Sequence, residues 1–255
     1  MSSSLDGVVA RLRAAGCVFA EDEAGLLASA AESADALDAM VERRVAGEPL
    51  EYVVGWAEFC GLRVAVEPGV FVPRRRTEFM VGEAVRNAPP KPVVVDLCCG
   101  SGALGAVLGT VLEGAEVYAA DVDPAAVRCA RRNLPAERVF EGDLFAPLPG
   151  ELRGRVDILA ANVPYVPTGE VGLLPAEARD HEARVALDGG EDGLAVLRRV
   201  AAEAGGWLAP GGRLLVETGE RQAEAAVAAF ERGGLAARVA ASEEWHATVV
   251  VGTRR

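Results

Sequence analysis

Lysine is almost missing from this chain: Lys91 is the only one in 255 residues, so nearly every cation is an arginine. Histidine is scarce too, with His181 and His246 alone. The five cysteines, Cys17, Cys60, Cys98, Cys99 and Cys129, form no C-x-x-C pair. With so few histidines and no cysteines at ligand spacing, no metal site is expected. An odd cysteine count without a leader peptide argues against a secreted disulfide scaffold. Charges, Gly and Pro interrupt every apolar run before it reaches the roughly 18 to 20 residues of a membrane span. Bases are outnumbered, 26 against 38 acids, for a net charge of −12. A general nucleic-acid binder clusters cations against phosphates, so this balance argues against one. Apolar residues make up 51% of the chain, which excludes wholesale disorder. What remains is a soluble, acidic, cytoplasmic protein, expected to be a monomer.

Three regions follow from the pattern of residues. Residues 1–47 read as a helical region: Val8, Leu12, Leu26, Leu27, Leu37, Met40 and Val41 recur at helical spacing over 5–46. Gly16 and Gly25 suggest breaks between two or three helices. Residues 48–92 read as a connector, with a short β-hairpin or irregular stretch over 50–73 and a helix over 77–87. The run Ala88-Pro89-Pro90-Lys91-Pro92 marks a boundary. From 93 to 255, apolar runs alternate with helical segments. Strands are expected at 93–99, 116–121, 156–162, 213–219, 236–241 and 247–252, with a short strand and its exit at 138–145. Helices are expected at 102–114, 124–134, 193–208 and 221–232, a loop at 163–190, and a turn at Pro210-Gly211-Gly212. This alternation predicts an α/β fold, a mostly parallel sheet with helices on both faces. Ligands of such sheets sit at the carboxyl ends of the strands, where Asp96, Asp121, Asp143 and Asn162 fall.

The first strand runs into Asp96-Leu97-Cys98-Cys99-Gly100-Ser101-Gly102 and then a helix. Glycines there let the backbone approach a ligand, and the helix N-terminus offers free N–H groups. Asp121, ending the second strand, is placed to accept both ribose hydroxyls of an adenosine. Two cofactors use this geometry. Gly100-Ser101-Gly102-Ala103-Leu104-Gly105 matches the G-x-G-x-x-G dinucleotide fingerprint. Asp96, however, would repel a pyrophosphate at the turn and would suit the cationic amino-acid end of S-adenosylmethionine. The balance favours a methyltransferase over a dehydrogenase. Cys98 and Cys99 read as small apolar walls in preference to a redox pair.

Asn162-Val163-Pro164-Tyr165 ends the fourth strand, close to the Asn-Pro-Pro-Tyr tetrapeptide of amino-group methyltransferases. An amide or exocyclic amine nitrogen is a poor nucleophile, because its lone pair is delocalised. Asn162 Oδ1 and the Val163 carbonyl can accept its N–H groups and hold it in line with a methyl donor. Tyr165 can pack on the flat acceptor group. Asn162, Pro164 and Tyr165 are the candidate catalytic residues. Val163 replaces the first proline, but precedes Pro164 and is held extended.

Taken together, the chain resembles the HemK/PrmC family, the release-factor glutamine N5-methyltransferases. The likeness spans about residues 48–222. It rests on Glu48-Pro49-Leu50-Glu51-Tyr52-Val53-Val54-Gly55, Glu58-Phe59-Cys60-Gly61-Leu62, Phe71-Val72-Pro73-Arg74 with Thr77-Glu78, Gly142-Asp143-Leu144-Phe145, Asp188-Gly189-Gly190-Glu191-Asp192-Gly193-Leu194, and Glu217-Thr218-Gly219-Glu220-Arg221-Gln222. The resemblance implies a class I methyltransferase fold with a seven-stranded Rossmann-like sheet and a helical N-terminal domain that docks a protein substrate. The implied substrate is the Gly-Gly-Gln glutamine of class 1 peptide chain release factors. The implied S-adenosylmethionine site comprises Asp96, Cys98, Cys99, Gly100, Ser101, Gly102, Asp121, Asp143, Leu144 and Asn162. Residues Asn162, Val163, Pro164 and Tyr165 would hold the substrate amide. Besides Val163, two departures stand out: Pro73-Arg74-Arg75-Arg76 replaces the family's Pro-Arg-Pro-Glu, and the helical region is short.

Arg74–Arg76 could contact an acidic partner or form a solvated surface run. His181 reads as a surface loop residue before a proton shuttle, and Trp56, Trp207 and Trp245 read as core. Three other functions stay open. They are the same chemistry on another protein or a nucleobase amino group, a non-catalytic cofactor-binding paralogue, and, more distantly, a dehydrogenase.

Overall fold

The computed structural model describes residues 4–255, so the first three residues of the expected 1–47 helical region lie outside the described residues. Ser4 caps α1 (Leu5–Ala14), its Oγ accepting the Gly7 N–H. Gly16, with φ +93°, breaks the chain as expected. Gly25 does not: it lies inside α2 (Ala20–Ala30). One interior glycine costs a helix only about 1 kcal/mol, and buried Ala24 and Leu27 hold it to the module. The break falls later, where Ser33 caps α3 (Ala34–Val45) by accepting the Ala36 N–H at 3.1 Å. A short α4 (Leu50–Val54) follows within the expected connector. Val8, Leu12, Ala20, Ala24, Leu27, Val41 and Val53 form one apolar core among these helices.

The connector contains the expected hairpin, β1 (Trp56–Phe59) with β2 (Leu62–Ala65). Cys60 and Gly61 both have positive φ, as a two-residue turn matched to strand twist requires. Then come α5 (Glu78–Val85) and the sheet elements β3 (Val93–Leu97), α6 (Ala103–Val111), β4 (Glu116–Asp121), α7 (Pro124–Asn133), β5 (Val139–Glu141) and β6 (Val156–Ala161). The segment after β6 differs from the open loop expected. It carries a two-turn 3-10 helix at 168–173, a single turn at 184–186 and a short α8 (Ala176–His181). The chain ends with α9 (Ala195–Ala204), β7 (Leu208–Thr218), α10 (Ala223–Arg232), β8 (Leu235–Ser242) and β9 (Ala247–Arg254). Pro210-Gly211-Gly212 is a bulge inside β7, where the register with β6 shifts, and no separate turn.

The seven strands order as β5-β4-β3-β6-β7-β9-β8, with β9 antiparallel to both neighbours. The chain moves outward from β3 to β4 and β5, then returns to the far side of β3 as β6. That reversal makes a crevice at the carboxyl ends of β3 and β6. Alternate residues face opposite layers. Val95, Leu97, Leu159 and Val216 pack with α9 and α10 through Leu197 and Phe230. Val94, Ile158 and Leu215 pack with α5 and α6 through Met80 and Leu108. Trp207 is core, stacked on Phe145 at 5.4 Å, whereas Trp56 and Trp245 are half-buried. No helix among the described residues is long and apolar enough to cross a membrane.

Candidate active site

A cavity of about 580 Å³ opens at the carboxyl ends of β3, β4 and β6. The size suits a cofactor-sized ligand. Of the residues expected there, Cys98, Cys99, Gly100, Ser101, Asp121, Asp143, Leu144, Asn162, Val163, Pro164 and Tyr165 all line it. Asp96 and Gly102 are not part of its wall. Gly102, at φ +77°, turns the chain into α6. Asp96 is fully buried behind the loop, and its Oδ2 accepts the Gly105 N–H at 2.8 Å. Its Oδ1 is a buried acceptor with no bonded partner among the described residues.

Asp121 sits at the tip of β4. Its Oδ2 accepts the Gly100 N–H at 2.8 Å and its Oδ1 the Asp123 N–H at 2.9 Å, which fixes the carboxylate on the cavity wall. Burial pushes its pKa up, against the pull of these two amides. Each oxygen keeps a lone pair for a hydroxyl donor. Cys98 adopts φ +56° beside it, and burial together with Asp121 pushes the Cys98 thiol well up. Cys99 is pushed up too, by burial and Asp96. Two protonated thiols suit the reading of small apolar walls. Asp143 pairs with Arg199 at 2.5 Å at the rim, and buried Leu144 forms the wall next to it. The acids Asp96 and Asp121 lie under the glycine loop, and the nearby cation, Arg199, is already paired. Asp121 offers the cavity acceptors for hydroxyls, and a carboxylate there disfavours a pyrophosphate, so the residues fit S-adenosylmethionine.

On the other side of the crevice, Asn162 directly follows β6. Its side chain is half-exposed and bonds to no group among the described residues, which leaves both amide edges available. Val163 and Pro164 are buried and anchor the turn. Tyr165 is held from two directions. Gln222 Nε2 donates to its carbonyl at 2.9 Å and to the Asp192 carbonyl at 2.9 Å. Its hydroxyl donates to Glu217 Oε1 at 3.1 Å and accepts from Arg76. Burial and the Glu217 charge push the phenol pKa up, so it stays neutral. The glycine loop packs backbone to backbone on this turn. A Cβ on Gly189 would lie 2.6 Å from the Pro164 carbonyl oxygen, and one on Gly193 2.2 Å from that of Tyr165.

The arginine run is neither a solvated strip nor a free patch. Arg74 Nη2 donates to both oxygens of Glu182, at 2.6 and 2.7 Å, and Glu182 is buried. Arg76 pairs with buried Glu217, whose other oxygen accepts from Thr77 at 2.7 Å. Arg75 and Arg76 are both exposed, and of the two Arg75 has no such partner among the described residues. His181 lies on α8, outside the cavity wall, as a surface histidine would. The motifs at Phe71 and Glu217 do not themselves show that Gly69–Phe71 and Val185–Leu187 wall the cavity or that Glu217 gathers Arg76, Thr77 and Tyr165. Neither arrangement carries a local spacing signal. Among the described residues no group of three His, Cys, Asp or Glu side chains is placed to hold a metal ion.

The family model described as Methyltransferase small domain matches residues 61–190. A release factor glutamine methyltransferase from Geobacter sulfurreducens is 43% identical over 201 residues, covering 76% of this chain and 69% of that protein. The chain belongs to the release factor glutamine methyltransferase family. Another relative of this methyltransferase, from Streptomyces pristinaespiralis, is 39% identical over 76% of the chain and 69% of its own length. It is named 4-amino-L-phenylalanine/4-methylamino-L-phenylalanine methyltransferase. The crystal structure of a methyltransferase from Pyrococcus furiosus superposes with a TM-score of 0.57 at 16% identity, covering 76% of this chain and 90% of that one. That likeness concerns the fold alone, and it agrees with the seven-stranded sheet of this enzyme.

Proposed function

We propose that this methyltransferase moves the methyl group of S-adenosylmethionine to the side-chain amide nitrogen of a glutamine, that of the Gly-Gly-Gln motif in class 1 peptide chain release factors. The observation that carries this reading is the Asn162 carboxamide, free of internal partners, beside a Tyr165 held in place on the cavity wall. Asp121 would accept the ribose hydroxyls, and the Cys98–Ser101 backbone would line the methionine portion. Asp96, turned away from the cavity onto the Gly105 amide, would hold the loop that carries this backbone. When bound, the cofactor supplies an electrophilic methyl on a sulfonium.

Asn162 Oδ1 and the Val163 carbonyl accept the two N–H groups of the substrate amide. That orients the nitrogen lone pair and favours pyramidalisation. The Tyr165 ring packs on the amide plane. Its neutral phenol is no base, and none is needed before transfer, because the nitrogen proton becomes acidic only as the new bond forms. The helices before residue 48 would dock the release factor, and the enzyme would act as a cytoplasmic monomer.

A second reading is favoured by the Streptomyces pristinaespiralis relative: the same site methylating an aromatic amino group. Labelled cofactor offered with wild-type release factors, their Gly-Gly-Ala variants and a 4-aminophenyl amino acid separates the two. Label on wild-type factors only, one methyl on the motif glutamine, is the expected result. In Asn162→Ala, kcat should fall about 10²- to 10³-fold, the scale of a lost transition-state hydrogen-bond partner. Cofactor bound with no label on any acceptor would refute the proposal and indicate a non-catalytic paralogue.

A further inference from the structure

Arg76 stands where the resembled family has a glutamate, and no step above uses it. Its side chain lies at the acceptor end of the cavity and spans two groups. Nε donates to Glu217 Oε1 at 2.8 Å, and Nη2 donates to the Tyr165 hydroxyl. The guanidinium carbon lies 5.7 Å from the Tyr165 ring centroid. Glu217 is itself fixed: it is buried, and its Oε2 accepts from Thr77 at 2.7 Å. Arginine, carboxylate and phenol thus close a triangle in which Tyr165 donates to Glu217 and accepts from Arg76. The phenol has one proton, and this arrangement commits it to Glu217. The ring, and not the hydroxyl, is left to meet the acceptor.

We infer that Arg76 is a positioning residue for methyl transfer, fixing the Tyr165 ring through the Arg76–Glu217 pair. The inference rests on the proposed transfer, in which that ring packs on the acceptor amide. The charge logic is specific to this chain. An acid at position 76 would bring a second carboxylate to the same phenol, and two such carboxylates repel. Arg76 instead places a cation beside Glu217, which accepts from both Arg76 and the Tyr165 hydroxyl. The ring is then held by two hydrogen bonds to its hydroxyl and by its backbone bond to Gln222.

The test is a set of four variants: Arg76→Met, Arg76→Lys, Tyr165→Phe and the Arg76→Met/Tyr165→Phe double. Arg76→Met should lower kcat about tenfold or more with the cofactor Kd little changed, and it should also lower Tm, since buried Glu217 loses its cation. Arg76→Lys, keeping the charge and a donor, should recover most of the rate. Tyr165→Phe removes the hydroxyl through which Arg76 acts, so the double variant should be no slower than Tyr165→Phe alone. An unchanged kcat in Arg76→Met overturns the inference, and so does a loss that multiplies with that of Tyr165→Phe. A fall in Tm with kcat intact would show a structural role only. A second readout does not depend on turnover. In protein labelled with 3-fluorotyrosine, the ¹⁹F line that Tyr165→Phe removes should shift or broaden in Arg76→Met. If the wild type methylates no acceptor, the proposed function fails by itself. The fluorine line still decides whether Arg76 holds the ring, and an unmoved line overturns that.

Discussion

Asp96 combines full burial with a half-used carboxylate, and that sets an unusual pH response. Burial pushes its pKa up to about 8, the Gly105 amide pulls it down, and Asp121 pushes it up further. An unfolded chain gives it the ordinary value near 3.8. The folded state therefore holds this proton more tightly. The stabilisation is complete below the unfolded pKa and is lost as pH rises through the folded one. Asp121, also raised by burial, acts in the same direction. Unfolding free energy from urea melts of the cofactor-free protein should therefore decline between about pH 4 and pH 8. Asp96→Asn mimics the protonated form and keeps an acceptor for Gly105, so its curve should be flatter. Parallel curves for variant and wild type would show that Asp96 is ionised throughout. The sequence placed Asp96 correctly at a strand end, but could not show that its carboxylate turns inward to α6 and away from the cavity.

Between elements, the glycine loop 188–194 governs the acceptor turn. Gly193 has φ +76°, and a Cβ there would collide with the Tyr165 carbonyl and Gln222 Nε2. Gly193→Ala should displace the loop, break the Gln222 bond to Tyr165 and cost about 2–4 kcal/mol of stability. A tenfold or greater fall in kcat should accompany it. Gly172→Ala is the control, since nothing lies within 4 Å of a Cβ there. Equal melting temperatures and rates for both variants would refute the close-packing argument. Much of this scale was legible in the residues. Apolar runs ending in Asp121 and Asn162, Pro124 opening α7, and Cys60-Gly61 between two short strands are local signals, and the strands and helices fall where they point. The helix break after α2 was misplaced because a tolerated glycine and a serine cap compete, and the cap decides. The Arg76–Glu217 and Arg74–Glu182 pairs join segments more than a hundred residues apart. Only the closed sheet brings them together, so the charge run alone looked like surface.

Across the whole molecule, one arginine ties the helical module to the cavity flap, the 174–187 segment. Arg44, near the end of α3, is largely buried. Its Nε donates to Glu23 on α2 at 2.7 Å, its Nη1 donates to the Glu48 carbonyl at 2.9 Å, and it pairs with Glu177 on α8 at 2.7 Å. Glu177 and its neighbours Pro175 and Ala178 line the cavity. The region proposed to dock the protein substrate thus shares a cation with the wall of the proposed transfer site. Removing the cation strands Glu23, which is nearly buried, so the cost exceeds that of a surface pair. Arg44→Met should lose about 2–3 kcal/mol. Hydrogen exchange should quicken in α2, α3 and the 174–187 segment together, while β3, β6 and β7 keep their protection. Faster exchange in α2 and α3 alone would mean that the flap is held independently, by Glu182 and the Arg74 pair. If the two regions do loosen together, the KM for the release factor should rise, because the proposed docking helices and a cavity wall are disturbed by the same substitution.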